Sequence, residues 1–543
     1  MVWGKGRRPV YSSRRHHRTL TQMLIALIFL FNLLAVIIAF FLKWRGIRTA
    51  YIWFFLVFVC LSVWLLLLLI PIDRINPLVI PNWFTIGSIP INLQFRITIQ
   101  NWPLAFSIIT FIFSFFLTGI ARLDIRKDLS LWAIQIIFGV FSFLAILSAD
   151  LWTVILFWTA LDFIDIFFKL VILKTADRKL MLRSLSIRFL GSLILIWNTS
   201  SISRLGINPT LEVLRGIGRN DLFLAALLHS GILPFQSSGI PKSDSKTENI
   251  INASIVITNF AVSSSLIIYL PSPDLFFFVN IGLIILLYIL LLIFSFSWAL
   301  GTGAEYSIKN LLSLAACFIS YFFIIGSDRP LIFWMNIFLL PMLMLWLYSH
   351  RSRSTRIFPA LMVLLISGLP FSLNANSARG LFISGFNLSE IVLIIPHILI
   401  LAGVLKRILE KGEDFHLMES WYQAVYLLGL FLPVLSIGAI SFRNLSDFSL
   451  ELQYWWIGGG VIISVFAFYY LFNRKISKDN PVHPIGETSV INRFFSMNWI
   501  FSLTLEFEKR ISKIVTGFSG LLEGEGGILW ALVFLLLILT VFR

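Results

Sequence analysis

Long apolar runs alternate with short, mostly basic segments along almost the whole of this chain. A helix of ~20 apolar residues crosses a bilayer. By that measure the runs predict spans over Leu20–Leu42, Tyr51–Ile70, Pro103–Ala121, Leu131–Ser148, Leu151–Leu173, Leu185–Asn198, Asp221–Phe235 and Ile250–Leu270. They continue over Leu275–Ser297, Glu305–Ser327, Leu331–Tyr348, Phe358–Leu373, Leu388–Leu409, Ala424–Ile440, Trp456–Phe472 and Ile528–Phe542. The expectation is an all-α polytopic membrane protein of about 16 transmembrane helices. Two stretches break the pattern. Between Asn82 and Gln100, Ile91, Leu93, Phe95, Ile97 and Ile99 alternate with polar residues, which predicts a β-hairpin outside the membrane. After a polar linker, Asn473–Glu487, the segment Val490–Phe518 sets Phe494, Phe495, Trp499, Phe501, Leu505 and Phe507 among Arg493, Glu506, Lys509, Arg510 and Lys513. That pattern predicts an amphipathic helix lying along the interface.

Composition agrees with the pattern: 58% of residues are hydrophobic and 13% charged, against roughly 25% charged in a soluble domain. The net charge of +16 would suggest nucleic acid in a soluble protein. Here the basic residues lie between spans, so lipid head groups and topology account for them and nucleic acid is excluded. One side collects Lys43, Arg122, Lys174, Arg351, Lys406 and Lys475 with their basic neighbours; the other holds Arg74, Arg96, Arg204, Arg329 and Arg443. The first side is expected to be cytoplasmic. The basic tail, residues 1–19, then falls outside, against the usual rule. The first run is too long for a signal peptide and lacks a small-residue cleavage site. Cys60 and Cys317 lie within spans and give neither a disulfide framework nor a metal spacing.

Candidate chemistry is confined to a few places. The runs containing Pro234 and containing Gly368 and Pro370 are broken by helix-disrupting residues, and a freed backbone carbonyl in lipid must find a partner in protein or water. Such a pair at matching places in two halves points to a transport path between inverted repeats; a packing kink is the rival reading. Ionisable residues within spans default to function. Asp162, Asp165 and Lys169 fall at helical spacing, where Asp165 and Lys169 could also simply pair. His229 has the chemistry of a group that titrates near neutral pH, with a satisfied packing histidine as its rival. Lys309 opens the run Glu305–Ser327, one turn from Glu305; alternatively it is a snorkelling helix end. No metal cluster, nucleotide-binding glycine loop or nucleophilic triad is present; Gly524, Gly526 and Gly527 follow no strand.

The run EYSIKNLLSLAACFISYFFIIGS resembles the D-I-K-R-x-L-A-Y-S-T-x-S-Q-x-G-Y-x-x-x-x-x-G signature of the antiporter-like membrane subunits of respiratory complex I and of Mrp-type cation/proton antiporters. Ser307, Ile308 and Lys309 stand where D-I-K stands, and Leu312, Ser320, Tyr321 and Gly326 keep the pattern. Phe223–Phe235 resembles the family's G-A-x-x-K-S-A-Q-x-P-x run and Ser367–Ser372 its L-x-G-x-P-P-x segment. The chain departs from the family at titratable positions. His229 replaces a lysine, and Asp162 stands three residues beyond the position of a glutamate that follows a tryptophan. Ile255 takes a histidine position, and Asn336 and Leu340 replace an H-A-x-x-K-A motif.

The resemblance implies two inverted five-helix repeats with broken helices, about Leu131–Leu270 and Leu275–Leu409, after three spans and the hairpin, residues 20–121. Two further spans within 422–472, a lateral helix at 490–518 and a last span at 528–543 would follow. It implies a membrane subunit of an NADH:quinone oxidoreductase-like or Mrp-like complex, with no redox or catalytic site and no cofactor of its own. Its partners would be other membrane subunits, the lipid bilayer, and protons or monovalent cations; its place would be the plasma membrane. The alternatives are a structural arm without a proton path and a stand-alone secondary transporter.

Overall fold

A computed structural model describes residues 11–70, 72, 77–86, 89–121, 129–173, 178–217, 220–231, 246–273, 277–301, 304–326, 328–369, 388–410, 412–443, 452–476 and, singly, 506, 510 and 513. The chain divides into two units, Met1–Pro484 and Ile485–Arg543. In the second, Glu506, Arg510 and Lys513 are helical and exposed, at the i, i+4, i+7 spacing of one face. The rest of Val490–Phe518, and all of Ile528–Phe542, lie outside the described residues.

The first unit begins with α1 (Tyr11–Trp44) and α2 (Thr49–Leu69), which pack on each other. Helix α1 starts well inside the basic tail, because nothing between Tyr11 and Leu20 breaks a helix and arginine is a good helix former. The hairpin pairs β1 (Leu78–Ile86) with β2 (Ile89–Phe95), antiparallel, with a bulge between Ile80 and Phe84 where Asn82 takes φ +52°. It starts before the expected Asn82, at Leu78, and Pro81 lies within β1. Proline is tolerated on such an edge strand. Ile91, Leu93, Phe95 and Ile97 are buried. Strand β2 is tied to the corner after α4 (Leu129–Leu147): Ala149 N donates to Gln94 O at 2.8 Å and Arg96 N to Leu147 O at 2.7 Å.

Helix α3 (Trp102–Gly119) is buried along its entire length. It packs against α2, α4, α12 (Asp328–Leu347) and α15 (Ser420–Arg443). The other helices are α5 (Leu151–Phe167), α6 (Arg178–Arg204), α7 (Leu211–Ile217), α8 (Asn220–His229), α9 (Lys246–Ile267), α10 (Phe277–Leu300), α11 (Ala304–Ile325), α13 (Ile357–Ile366), α14 (Leu388–Leu409) and α16 (Leu452–Ile476). Helix α5 continues directly into a π-helical segment, Phe168–Leu173. Among the described residues eight helices are long and apolar enough to cross a membrane, where hydropathy gave about sixteen. Four further apolar helices are shorter.

Two short helices explain part of that difference. Helix α8 ends at His229 and Gly231 follows at φ +72°; α13 ends at Ile366 and Gly368 follows at φ +96°. Left-handed backbone at these glycines closes each helix mid-run. Pro234 and Pro370 lie outside the described residues.

Candidate functional site

The site is built on α5, whose start is fixed by Asp150. That side chain caps the helix, accepting from Thr153 N at 2.9 Å and from Thr153 Oγ1 at 2.6 Å. Three turns on, Asp162 and Asp165 point the same way, three residues apart. The π-helical segment then begins, and Lys169 within it comes back onto Asp165, with Nζ 2.9 Å from the carboxylate. Single π turns of this kind recur where a side chain must be re-aimed.

Helix α6 supplies Arg188, whose two terminal nitrogens divide between the two aspartates. Nη1 lies 3.0 Å from Asp162 Oδ1, and Nη2 hydrogen-bonds Asp165 Oδ2. The Asp162 contact is ionic in length but off the hydrogen-bond line, since Oδ1 has no hydrogen-bond partner among the described residues. Gly191, one turn along α6, makes the geometry possible. A Cβ there would meet Ala225 O at 2.7 Å and His229 N at 2.8 Å, so only glycine lets α6 reach the backbone of α8.

His229, the last residue of α8, closes the cluster. Its Nε2 faces Asp162 Oδ2 at 3.4 Å, and Nδ1 shares a 2.7 Å hydrogen bond with Ser263 Oγ on α9. Trp158, one turn before Asp162, stacks on the imidazole with centroids 3.9 Å apart and planes at 15°. Ser263 in turn donates to Asn259 O at 2.8 Å. All five ionisable groups are buried, His229 completely. Two carboxylates thus face the guanidinium of Arg188 and the amine of Lys169, with the imidazole of His229 beside Asp162.

Of the residues singled out by sequence, Asp162, Asp165, Lys169 and His229 meet in this one cluster. Lys309 lies in the second turn of α11, and its side chain is outside the described residues. Arg188 was not singled out, although an arginine within Leu185–Asn198 is as costly in lipid as either aspartate. Between described residues, the ion pairs buried within spans all belong to this cluster. In the second half Ile255's counterpart in apolarity, Leu340, is fully buried, as is Ile255 itself. There His397 of α14 meets Trp334 edge to face at 5.3 Å, and Asn336 Oδ1 lies 3.4 Å from Ser107 Oγ of α3.

On the hairpin side, a cavity of about 120 Å³ opens among Gln94, Arg96, Thr98, Ser148, Glu212 and Tyr269. Arg96 and Glu212 pair across it.

No family model matches the sequence, and no curated protein does. Solved structures do match in shape. A chain in the structure of the Mrp complex from Dietzia sp. DQ12-45-1b superposes with a TM-score of 0.65 at 13% identity, over 96% of this chain and 62% of that one. This chain therefore spans less than two thirds of that relative's length. A chain of the membrane-bound sulfane sulfur reductase, an archaeal respiratory membrane complex, superposes with a TM-score of 0.58 at 13% identity, over 95% of this chain and 99% of that one. This is a multi-pass membrane protein, and its fold is the one shared by a chain of an Mrp complex and a chain of a respiratory membrane complex, as the antiporter-like motifs implied.

Proposed function

We propose that the chain is a proton-translocating subunit of an Mrp-like or complex I-like assembly in the plasma membrane, with Asp162 and His229 as the groups that hold the moving proton. The observation that carries this reading is the completely buried His229 at the break after α8, facing Asp162 and bonded to Ser263. Helix α9 supports it further. Asn252 and Asn259 present buried side-chain atoms with no hydrogen-bond partner among the described residues, the kind of group that ordered water satisfies. The two runs of helices that contain the short α8 and α13 would be the inverted repeats, about Leu131–Leu270 and Leu275–Leu409, and the path belongs to the first. Lys309 stands at the boundary between them. The lateral segment Val490–Phe518 ties the chain to a neighbouring subunit.

The experiment is proton movement in vesicles containing the assembled complex, with His229→Leu and Asp162→Asn. Both variants should assemble and lose proton movement. Wild-type rates in both would remove the path from these residues. A structural arm is the second reading, favoured by the buried, apolar Ile255 and Leu340. An assembled wild type that moves no protons would establish it.

A further inference from the structure

Two carboxylates three residues apart in a membrane are, on composition alone, as good a site for an alkali cation as for a proton. The geometry points to the proton, and we infer that Arg188 is the specificity-determining residue that keeps sodium and other monovalent cations out of the Asp162–Asp165 pair. This inference rests on the reading of the cluster as a proton site.

The argument is one of space and charge. A hard cation needs several oxygen ligands gathered around one point. The space between the carboxylates is taken by one guanidinium, with Nη1 3.0 Å from Asp162 Oδ1 and Nη2 on Asp165 Oδ2. Lys169 Nζ covers Asp165 from the other side at 2.9 Å, and His229 Nε2 faces the free edge of Asp162 at 3.4 Å. Each of the four carboxylate oxygens therefore has a nitrogen within 3.4 Å. Arginine stays protonated at any working pH, so it cannot make way by losing its charge. Two negative and two positive charges already balance, and a further metal cation would leave an uncompensated charge deep in protein and lipid. A proton brings the same charge but escapes the obstacle of space, because it adds to a lone pair of an atom already present and needs no shell of oxygens. Lysine in place of Arg188 would hold the charge but could not bridge both carboxylates with one planar fork.

The test is thermal unfolding of the purified full chain in detergent, with sodium, lithium or choline chloride at equal ionic strength. Wild type should show no rise in midpoint specific to sodium or lithium. Arg188→Gln, which vacates the fork, should show a saturable rise with sodium or lithium that Arg188→Gln/Asp162→Asn lacks. A saturable sodium- or lithium-specific rise in wild type, lost in Asp162→Asn, would overturn the inference. So would a folded Arg188→Gln with no cation response. Should Arg188→Gln fail to fold, Arg188→Met, which removes the charge and keeps most of the length, takes its place with the same two outcomes. Loss of the proton-site reading is seen separately, in the vesicle assay, and leaves this cation measurement unchanged.

Discussion

At the scale of single residues, Asp150 performs two opposed jobs. Its carboxyl caps α5, just outside the span, and burial pushes its pKa up, against the hydrogen bonds from Thr153, Trp152 and Gln94. A carboxyl whose folded pKa is raised binds its proton more tightly when folded. Its contribution to stability is present at low pH and is lost as pH rises through the folded value. Asparagine caps a helix as well as aspartate does and carries no charge. Asp150→Asn should therefore keep the stability of wild type at neutral pH or exceed it, and should flatten the fall from acid to neutral. Asp150→Ala should lose about 1 kcal/mol through the missing cap. Thermal unfolding across pH 4–8 separates the two; equal losses in both variants would refute the assignment.

The same scale shows what a sequence carries about a site. Asp162, Asp165, Lys169 and His229 stood out because each is ionisable within an apolar run, and the cost of burying charge marks such groups at once. Arg188 was as conspicuous by that measure and was passed over, since Leu185–Asn198 reads as an ordinary span bounded by basic residues. Which carboxylate meets which cation was not legible. That depends on the π-helical turn at Phe168–Leu173 and on the approach of α6 to α8, and no period in the sequence encodes either.

At the scale of elements, Gly191 is the contact point of α6 and α8. Alanine there would push its Cβ to 2.7 Å from Ala225 O and 2.8 Å from His229 N, both backbone atoms that cannot rotate away. Overpacking of this sort costs about 1–3 kcal/mol. The helices should part by enough to draw Arg188 from Asp162. Gly191→Ala should lower both the unfolding midpoint and proton movement, while Gly438→Ala, where a Cβ meets nothing within 4 Å, should change neither. Equal behaviour of the two variants would show that α6 and α8 are not in close contact. Element boundaries were less legible than element existence. The hairpin was visible in its two-residue period, yet its first strand begins earlier, at Leu78, and α8 stops at His229, short of the expected Phe235.

At the scale of the molecule, the distribution of lysine and arginine sets the orientation. The segment around Arg351 and the C-terminal end of α16, at Lys475, should face the cytoplasm and the β1–β2 hairpin the outside. Cysteines introduced at Arg353 and at Trp83, both exposed, should react with impermeant reagents from opposite sides of sealed vesicles. Reaction of both from one side would overturn this topology.

Helix α3 has a consequence for how the chain is made. It is enclosed by helices on every side, and one of them, α15, lies more than three hundred residues later in the chain. Thr110 and Ser436 share a 2.8 Å hydrogen bond that cannot exist until α15 has left the ribosome. During that wait α3 faces lipid without its later partners. It carries its own provisional partners: Ser107 donates to Pro103 O at 2.7 Å, Thr110 to Phe106 O at 2.8 Å and Thr118 to Ser114 O at 2.8 Å. Three of its four hydroxyls are thus satisfied within the helix, Ser114 being the exception among the described residues, so the nascent bundle can hold its centre in the bilayer until the last walls arrive.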